Sequence, residues 1–193
     1  RPYRFSHLEL PDSAVHRIPR GGGYSYSSSS FGENSLVQEM TCFNRFLEFN
    51  SEKLTLKLEA GVRLIDLMKW ALPRQLHFPV LPGYPLITVG GCVAADVHGK
   101  NPYKDGTFAD WVKQLTVFHP QKGYQSCSPE ENPTLFAMTC GGYGLTGVIT
   151  NVTLQLAELP SPWIALSQNR VGSLEEAERE LSSCDADIAY SWH

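Results

Sequence analysis

The residues with the clearest chemical potential lie at positions 88–101, where the chain reads TVGGCVAADVHGKN. The glycine pair Gly90 and Gly91 lets a backbone approach a ligand closely, because no Cβ stands in the way. Free N–H groups at such glycines can form a concave cradle for an anion. His98 and Lys100 then add titratable side chains beside that cradle. An anion-binding backbone next to acid–base side chains indicates a cofactor site.

Two other segments of the chain carry clustered glycines. Residues 20–25 read RGGGYS, and residues 141–147 read GGYGLTG. For any single segment an ordinary connecting turn is the simpler interpretation. Because all of these segments lie at predicted strand junctions, together they favour turns that converge on one extended, phosphate-bearing ligand. Pro82 and Gly83, just before the segment at 88–91, fit the same picture.

The last glycine segment matches the dinucleotide-binding pattern G-x-G-x-x-G at Gly142, Gly144 and Gly147. That fingerprint requires a strand before the glycines and a helix after them. Here a predicted short helix comes before the glycines, and an alternating strand follows. A Rossmann-type nicotinamide site is therefore not predicted, although the tight turn can still present N–H groups to a cofactor.

Apolar periodicity predicts the elements that must position these segments. One helix ends at Pro73 and carries apolar residues at helical spacing, namely Leu64, Leu67, Met68, Ala71 and Leu72. A capping box that begins at Ser128, with Pro129 at the first helical position, predicts a second helix. Alternating apolar residues predict strands at 53–59, 111–119 and, most clearly, 148–156. These elements predict an α+β fold.

The proline-rich stretch at 160–162 marks a predicted domain boundary. The elements predicted after it are a strand near Ile164, a helix opened by a Ser173–Glu176 capping box, and a strand at 188–192. The sequence stops within that last predicted strand. We therefore expect a first domain over residues 1–159 and the beginning of a second, truncated domain over residues 160–193.

Composition narrows the classes of function. The chain has 193 residues, an apolar fraction of 42% and a net charge of -4, which suits a globular protein with a substantial core. Without a basic excess, nucleic acid is not an expected partner. No apolar run is long enough for a transmembrane segment. The 5 cysteines lack CxxC spacing, so neither a disulfide framework nor a metal site is predicted. Free thiols favour the cytoplasm, while the periplasm and peripheral membrane association stay open.

The order and spacing of the glycine segments resemble those of flavoproteins with a vanillyl-alcohol-oxidase-type (PCMH-type) FAD-binding domain. The resemblance runs from about residue 15 to residue 160. Within that family, residues 88–101 are most similar to the decaprenylphosphoryl-ribose oxidase branch, which oxidises the 2′-hydroxyl of a lipid-linked ribose. The resemblance implies a small N-terminal β-rich subdomain packed on a larger mixed sheet, followed by an α/β substrate domain.

The same resemblance implies where FAD binds. Residues 20–25 resemble the first pyrophosphate loop of the family, and residues 141–149 resemble the segment that meets the adenine end. Many members carry a His directly after the glycines that is covalently linked to the flavin, whereas this chain has Tyr24, so we expect non-covalent FAD. The expected cofactor-binding residues are Arg20, Gly21, Gly22, Gly23, Tyr24, Ser25, Pro82, Gly83, Thr88, Val89, Gly90, Gly91, His98, Gly99, Asn101, Gly142, Gly144, Gly147, Val148 and Ile149.

The resemblance implies catalytic roles for His98 and Lys100. His98 would lie near the flavin ring, Lys100 would face the substrate, and Asn101 would hold the turn. The alternatives are a structural histidine for His98 and a solvated loop lysine for Lys100. Asp96 could act as a catalytic base, but a structural carboxylate bonded to backbone N–H groups is the simpler interpretation.

The function that follows is a FAD-dependent oxidoreductase that oxidises a hydroxyl of a sugar or alcohol by hydride transfer to flavin. Its substrate would be a small molecule or a lipid-linked sugar, a partner reductase is possible, and the catalytic base would belong to the second domain. Another sugar-lactone or hydroxy-acid oxidase of the superfamily is an alternative. So is a redox-inactive flavin- or nucleotide-binding module. A carbohydrate-binding domain would suit Trp163 and Trp192 but would leave the glycine segments unexplained.

Overall fold

The computed structural model describes residues 4–9, 16–27 and 29–192. Short 3-10 turns lie at Phe5–His7, Leu72–Arg74 and Phe108–Trp111. The other elements are, in chain order, β1 (His16–Arg20), β2 (Ser35–Glu39), β3 (Phe46–Asn50), β4 (Thr55–Glu59), α1 (Leu64–Ala71), β5 (Leu76–His77), α2 (Val89–Ala95), α3 (Pro102–Asp105), β6 (Val112–His119), β7 (Gly123–Cys127), α4 (Pro133–Thr139), β8 (Val148–Gln155), β9 (Ala157–Glu158) and α5 (Leu174–Ser183).

A five-stranded antiparallel sheet with strand order β3-β4-β8-β6-β7 forms the centre of the fold. β5 and β9 form a separate antiparallel pair. β1 and β2 pair in parallel. Because a tight hairpin cannot join parallel strands, the connection between β1 and β2 is a longer crossover, and its described residues 21–27 and 29–34 include the first glycine segment. The predicted combination of helices and strands is confirmed, but the large sheet is entirely antiparallel and not the mixed sheet that the resemblance implied.

Helices α1 and α2 share the main apolar core with the sheet. Leu64 and Leu67 of α1 and Val93 of α2 are buried in one cluster with Leu58 of β4 and Val152 of β8. Burial of each such side chain contributes about 1.5–3 kcal/mol to folding. The spacing that predicted the α1 helix therefore reflects the face that the helix turns toward the sheet. The sheet and its two helices form the rigid support for the glycine segments.

Strand β8 is buried more completely than its alternating sequence predicts. Val148–Gln155 is buried at every position from 148 to 152. Val152 and Ile149 belong to the main core, while Val148 packs in a second cluster with Leu8 and Phe43. An alternating pattern indicates that one face of a strand is buried. At the N-terminal end of β8, residues on both faces of the strand are buried. The strand itself was correctly predicted.

The segment at residues 88–91 is not the turn that its glycine pair predicts. Thr88 has extended backbone angles and caps a helix, because its hydroxyl accepts a hydrogen bond from the N–H of Gly91 at 3.2 Å. The helix α2 continues through Ala95, with small side chains at most positions. Glycine is a weak helix former, so local propensity favours a turn. Tertiary packing against the sheet overrides that preference.

The second predicted helix begins later than its capping box indicates. The Ser128 hydroxyl does accept hydrogen bonds from the N–H groups of Glu130 and Glu131, at 3.1 and 2.9 Å. However, Asn132 takes a left-handed conformation with φ of 50°, so the backbone between Ser128 and Asn132 is not helical. Pro133 then occupies the first helical position of α4.

The strands predicted near Ile164 and at 188–192 are wrong. Residues 159–172 and 184–192 lie in loops, and Ile164 is 92% exposed. A strand needs a neighbouring strand for its backbone hydrogen bonds, and alternation along the sequence cannot supply one. The helix between them is confirmed as α5, where Ser173 accepts a hydrogen bond from the N–H of Glu176 at 3.2 Å.

Candidate functional site

A cavity of about 1240 Å³ lies where the glycine segments converge. It exceeds the range of about 300–1,000 Å³ that is typical of pockets for drug-sized ligands. Its walls come from the crossover between β1 and β2, the loop before α2, the exposed side of α2, the turn at 98–100 and the segment at 143–149. The convergence predicted from the sequence is therefore present in the fold.

The first glycine segment supplies unpaired backbone donors to this cavity. Within the described residues, no hydrogen bond engages the backbone N–H groups of residues 21–25. Gly23 has φ of 76°, a left-handed value that favours glycine. Consecutive N–H groups in such a turn form a concavity that binds anions. This segment therefore fits a pyrophosphate.

The same loop packs directly on the start of α2. A Cβ added to Gly21 would overlap the Thr88 hydroxyl, and one added to Gly22 would lie 2.8 Å from the Tyr24 ring. A side chain at either position would therefore force the Thr88 or Tyr24 side chain, or the loop itself, to shift. The contact between Gly21 and Thr88 joins two segments that lie far apart in the sequence, and it sets their relative position in the cavity wall.

The N–H groups at the start of α2 are engaged within the protein. The Gly90 N–H donates to the Ala60 carbonyl at 2.7 Å, and the Gly91 N–H donates to the Thr88 hydroxyl. The free donors expected at this glycine pair are therefore found at residues 21–25 instead. Gly90 allows α2 to approach Ala60 closely, since an added Cβ would lie 2.8 Å from the Ala60 Cβ. Gly91 lies in the cavity wall.

The third glycine segment holds the C-terminal end of α2. The N–H groups of Gly141 and Tyr143 donate to the carbonyls of Val93 and Ala94, at 3.0 and 2.9 Å. The second bond satisfies the Ala94 carbonyl that the helix end leaves unpaired, while the Val93 carbonyl also accepts the Asp96 N–H at 3.1 Å. Gly144 has φ of 83°, and an added Cβ would lie 2.9 Å from the Pro19 ring. The turn thereby brings residues 143–149 against β1 and into the cavity wall.

The turn at 98–101 is fixed by neighbours outside the cavity. The Asn101 amide donates to the Pro79 carbonyl at 3.1 Å and to the Asp105 carboxylate. Gly99 packs on Leu81, since an added Cβ would lie 3.2 Å from the Leu81 backbone N and O. The role of Asn101 in holding this turn agrees with the expectation from the sequence.

His98 and Lys100 both line the cavity, and Gly99 between them packs on Leu81, the residue before Pro82 and Gly83. His98 is exposed, and its Nδ1 lies 3.0 Å from the Gly99 carbonyl oxygen. The Lys100 ammonium lies 4.0 Å from the centroid of the Tyr190 ring. A cation and an imidazole therefore face the same end of the cavity.

Asp96 ends α2 in a left-handed conformation with φ of 42°. One of its carboxylate oxygens accepts a hydrogen bond from the Ala109 N–H at 3.0 Å. Asp96 also lies in the cavity wall. The hydrogen bond agrees with the structural role that its sequence context favours.

The predicted binding residues divide into those on the cavity wall and those behind it. The wall contains Gly21, Gly22, Gly23, Tyr24, Ser25, Pro82, Gly83, Thr88, Gly90, Gly91, His98, Gly99, Lys100, Gly144, Gly147 and Ile149. The residues outside the wall are Arg20, Val89, Asn101, Gly142 and Val148. Arg20 instead places its guanidinium 4.3 Å from the centroid of the Phe31 ring, while Val89 is fully buried in the core.

Sequence reasoning missed the aromatic side chains of the wall. Tyr26, Tyr84, Tyr143 and Tyr190 all contribute to it. Most of these tyrosines lie within or next to a glycine segment, and that pairing is the signal that could have revealed them. Trp192 also lines the cavity, whereas Trp163 is 85% exposed and lies outside the wall.

Comparison with known proteins decides which anionic ligand suits this site. A family model described as "FAD binding domain" matches residues 11–127, which is more than half of the chain. The chain belongs to this FAD-binding family. The match confirms the resemblance to the PCMH-type flavoproteins, and FAD is the cofactor. The unpaired donors at residues 21–25 and the large cavity fit its pyrophosphate and its extended shape.

Individual relatives agree with this assignment. The chain is 35% identical over 160 residues to decaprenylphosphoryl-beta-D-ribose oxidase of Mycolicibacterium smegmatis, covering 82% of this chain and 35% of that protein. It is 31% identical over 132 residues to D-lactate dehydrogenase of Anaerostipes hadrus, covering 66% and 28%. It is 28% identical over 162 residues to cytokinin dehydrogenase 10 of Oryza sativa, covering 79% and 30%. The chain thus spans about a third of the length of these relatives.

Helices long and apolar enough to cross a membrane are absent from the described part of the chain.

Proposed function

We propose that this chain is the FAD-binding part of an oxidoreductase that oxidises a CH–OH group of a sugar or alcohol. The observation that carries the proposal is the arrangement of one cavity: unpaired N–H groups of residues 21–25 lie in its wall, and His98 and Lys100 lie at one end. Acid–base side chains at that end suit redox chemistry and have no evident use in a module that only binds flavin. The names of the relatives support oxidoreductase chemistry.

Each segment of the cavity wall then has a role in binding the cofactor or the substrate. Backbone donors at residues 21–25 bind the pyrophosphate, and α2 with the segment at 143–149 supports the rest of the cofactor and excludes water. Bound FAD supplies the redox chemistry by accepting a hydride from the substrate carbon. The Lys100 ammonium orients the substrate hydroxyl or stabilises negative charge that develops beside it. His98 lines the same cavity wall and would contact the flavin ring.

We propose that the flavin is held without a covalent bond. Tyr24 occupies the position after the glycines, and its ring packs edge-on against Tyr84 with the two centroids 4.7 Å apart. A phenol in this packed arrangement offers no imidazole nitrogen for a flavin linkage. Retention of FAD must then depend on the contacts of the cavity.

The division of the chain is also a proposal. We assign residues 1–159 to the FAD-binding domain and residues 160–193 to the beginning of a substrate domain, which would contribute the base that takes the hydroxyl proton. Support comes from the end of the last strand at Glu158 and the exposed loop that follows.

The substrate is a small or lipid-linked sugar or alcohol, and a partner reductase is one possible electron acceptor. Because the 5 cysteines are free thiols, we place the protein in the cytoplasm.

The test uses the full-length protein that contains this chain. Its visible spectrum is recorded as purified and after acid denaturation, and reduction is then followed without oxygen. We expect a flavin spectrum, release of FAD into the supernatant, and bleaching by a sugar or alcohol donor such as a polyprenylphosphoryl ribose. Flavin that stays with the precipitate would contradict non-covalent binding. Bleaching by dithionite but by none of a panel of CH–OH donors would contradict the proposed reaction and favour a redox-inactive module.

A further inference from the structure

Two tyrosines from separate segments meet in the cavity wall, and we call Tyr24 and Tyr84 the tyrosine pair. Their rings form an edge-to-face contact with centroids 4.7 Å apart and an interplanar angle of 66°. A hydrogen bond with Tyr24, together with partial burial, raises the pKa of the Tyr84 phenol above its usual value. Both side chains line the cavity. The pair therefore connects the first glycine segment to the loop before α2.

The tyrosine pair is coupled to the anion-binding loop. The Tyr24 ring lies directly over Gly22, where an added Cβ would come within 2.8 Å of two ring carbons. The conformation of the loop that presents the unpaired N–H groups therefore depends on where the Tyr24 ring lies. The contact with Tyr84 fixes that ring at its outer edge, so the pair restricts the loop from one side.

The loop that carries Tyr84 lies beside the turn that carries His98 and Lys100. Tyr84 follows Pro82 and Gly83, and the neighbouring Leu81 packs against Gly99, between His98 and Lys100. The tyrosine pair is thus connected, through the loop of Tyr84, to the turn at which the proposed function places the flavin ring.

Aromatic exposure supports a ligand contact for the pair. Tyr24 and Tyr84 are 45% and 46% exposed, so each ring keeps a free surface in the cavity although both hydroxyls have a partner. Aromatic faces stack well on planar ring systems, and such contacts contribute beyond the area that they bury. A pair whose rings already pack on each other loses little conformational freedom when a ligand binds.

We propose that the tyrosine pair is an aromatic clamp that contacts the flavin ring of FAD and retains the cofactor in place of a covalent bond. The proposal rests on the proposed function, because it takes the end of the cavity with His98 and Lys100 as the flavin end. Within the clamp, the rings provide the contact with the flavin. The edge-to-face contact between the rings, and the packing of the Tyr24 ring on Gly22, keep the rings and the anion-binding loop in position.

The first test separates the rings from their hydroxyls in the full-length, FAD-loaded protein. Tyr24→Phe and Tyr84→Phe keep the rings, and Tyr24→Leu and Tyr84→Leu remove them. Flavin fluorescence and the rate of FAD dissociation are measured for each variant. We expect the Phe variants to release FAD about fivefold faster, because they keep the ring but lose the hydroxyl, and to fluoresce more strongly, because phenylalanine has no electron-rich phenol. The Leu variants should release FAD faster still and fluoresce several-fold more strongly, because an electron-rich phenol in contact with flavin quenches its emission.

The hydrogen bond itself is tested by a double-mutant cycle. If both hydroxyls act through the bond that they share, the Tyr24→Phe/Tyr84→Phe double variant releases FAD no faster than either single variant.

The matched control for the Leu variants is Tyr103→Leu, because the Tyr103 side chain is 99% exposed and lies outside the cavity wall. It should leave dissociation and fluorescence unchanged. Thermal unfolding of each variant verifies that the fold is intact.

The outcomes separate this proposal from the one on which it rests. Unchanged dissociation and fluorescence in both Leu variants, with FAD still bound and reducible by substrate, would overturn the clamp alone. Weaker binding of ADP to the apoprotein variants, with bound flavin still quenched, would place the pair on the adenine and also overturn it. If the unmodified full-length protein binds FAD but is reduced by no CH–OH donor, the proposed function fails, while the fluorescence measurement still decides the clamp.

Discussion

The Lys100 ammonium lies 4.0 Å from the centroid of the Tyr190 ring, and the Lys100 carbonyl accepts a hydrogen bond from the Ala189 N–H at 3.1 Å. These contacts attach the C-terminal segment to the turn that carries the candidate catalytic residues. Nearby, the Lys104 ammonium donates to the Asp185 carbonyl at 3.0 Å. The aromatic face holds the Lys100 cation at the cavity and limits the directions in which its long side chain can point.

We expect substitution of Tyr190 to affect substrate use through Lys100. Tyr190→Leu removes the aromatic face and should raise KM on the order of fivefold in the full-length enzyme, because a cation–π contact contributes about 0.5–2 kcal/mol. Tyr190→Phe keeps the face and should behave like the natural protein. Steady-state kinetics with one donor and one acceptor gives the comparison. If Lys100→Met leaves both kcat and KM unchanged, Lys100 is only a solvated loop lysine, and this interpretation is wrong.

The contact between Gly21 and Thr88 predicts a steric effect on cofactor binding. In Gly21→Ala the new methyl group would overlap the Thr88 hydroxyl, so the loop must move and its N–H groups lose their arrangement. We expect FAD affinity to fall at least about tenfold, a loss of roughly 1.4 kcal/mol. Isothermal titration of the apoprotein with FAD measures this change.

Gly172→Ala is the matched control for Gly21→Ala. An added Cβ at Gly172 would lie 3.5 Å from the Glu176 carboxylate, an ordinary contact distance, and the residue lies outside the cavity wall. FAD affinity should therefore be unchanged in this variant. Equal affinities for Gly21→Ala and Gly172→Ala would show that the first glycine segment does not bind the cofactor.

Asp96 allows a test between a structural role and a catalytic one. Asp96→Asn keeps an oxygen acceptor for the Ala109 N–H, and asparagine tolerates the left-handed conformation, so stability and turnover should be nearly unchanged. Asp96→Ala removes the acceptor and should lower the free energy of unfolding by about 1–2 kcal/mol. Urea denaturation and steady-state assays measure the two effects. Loss of turnover in a folded, FAD-loaded Asp96→Asn protein would identify Asp96 as a catalytic base.

The cysteines should differ strongly in reactivity. Burial, followed by the nearby Glu131 carboxylate, raises the pKa of the Cys127 thiol to about 11. Burial, followed by Asp96, raises that of Cys140 to about 12. The thiolate is the reactive form, so both residues should resist alkylation near pH 8, whereas the exposed Cys184 should react first. Timed iodoacetamide labelling with peptide mass spectrometry gives the order, and early modification of Cys140 would contradict the fold at that position.

The same shifts have a consequence for stability at alkaline pH. Folding raises the pKa of the Cys127 and Cys140 thiols above the ordinary 9.0. The contribution of the two thiols to the free energy of unfolding is therefore fully present below pH 9.0 and is lost as pH rises toward 11 and 12. We therefore expect the midpoint of urea unfolding to fall over this range. Replacing both cysteines by alanine should reduce the pH dependence, and an unchanged dependence would assign it to other groups.

Several features followed from the sequence because local patterns determine them. The helix Leu64–Ala71 appears where apolar residues recur at helical spacing, and α5 begins at its Ser173 cap. The glycine segments were recognisable because a positive φ at Gly23 or Gly144, and the close contact at Gly21, tolerate little else. Their order along the chain was sufficient to predict the FAD-binding family before any fold was known.

Other features depended on which distant residues become neighbours, and only the tertiary structure decided them. The glycine pair after Thr88 forms a helix because the carbonyls of Val62 and Ala60 accept the N–H groups of Val89 and Gly90. That leaves the unpaired donors at residues 21–25. Hydrogen bonds and ring contacts between remote segments have no signature in local periodicity. The Tyr24–Tyr84 and Lys100–Tyr190 contacts therefore became visible only when the sheet and α2 had brought their segments together.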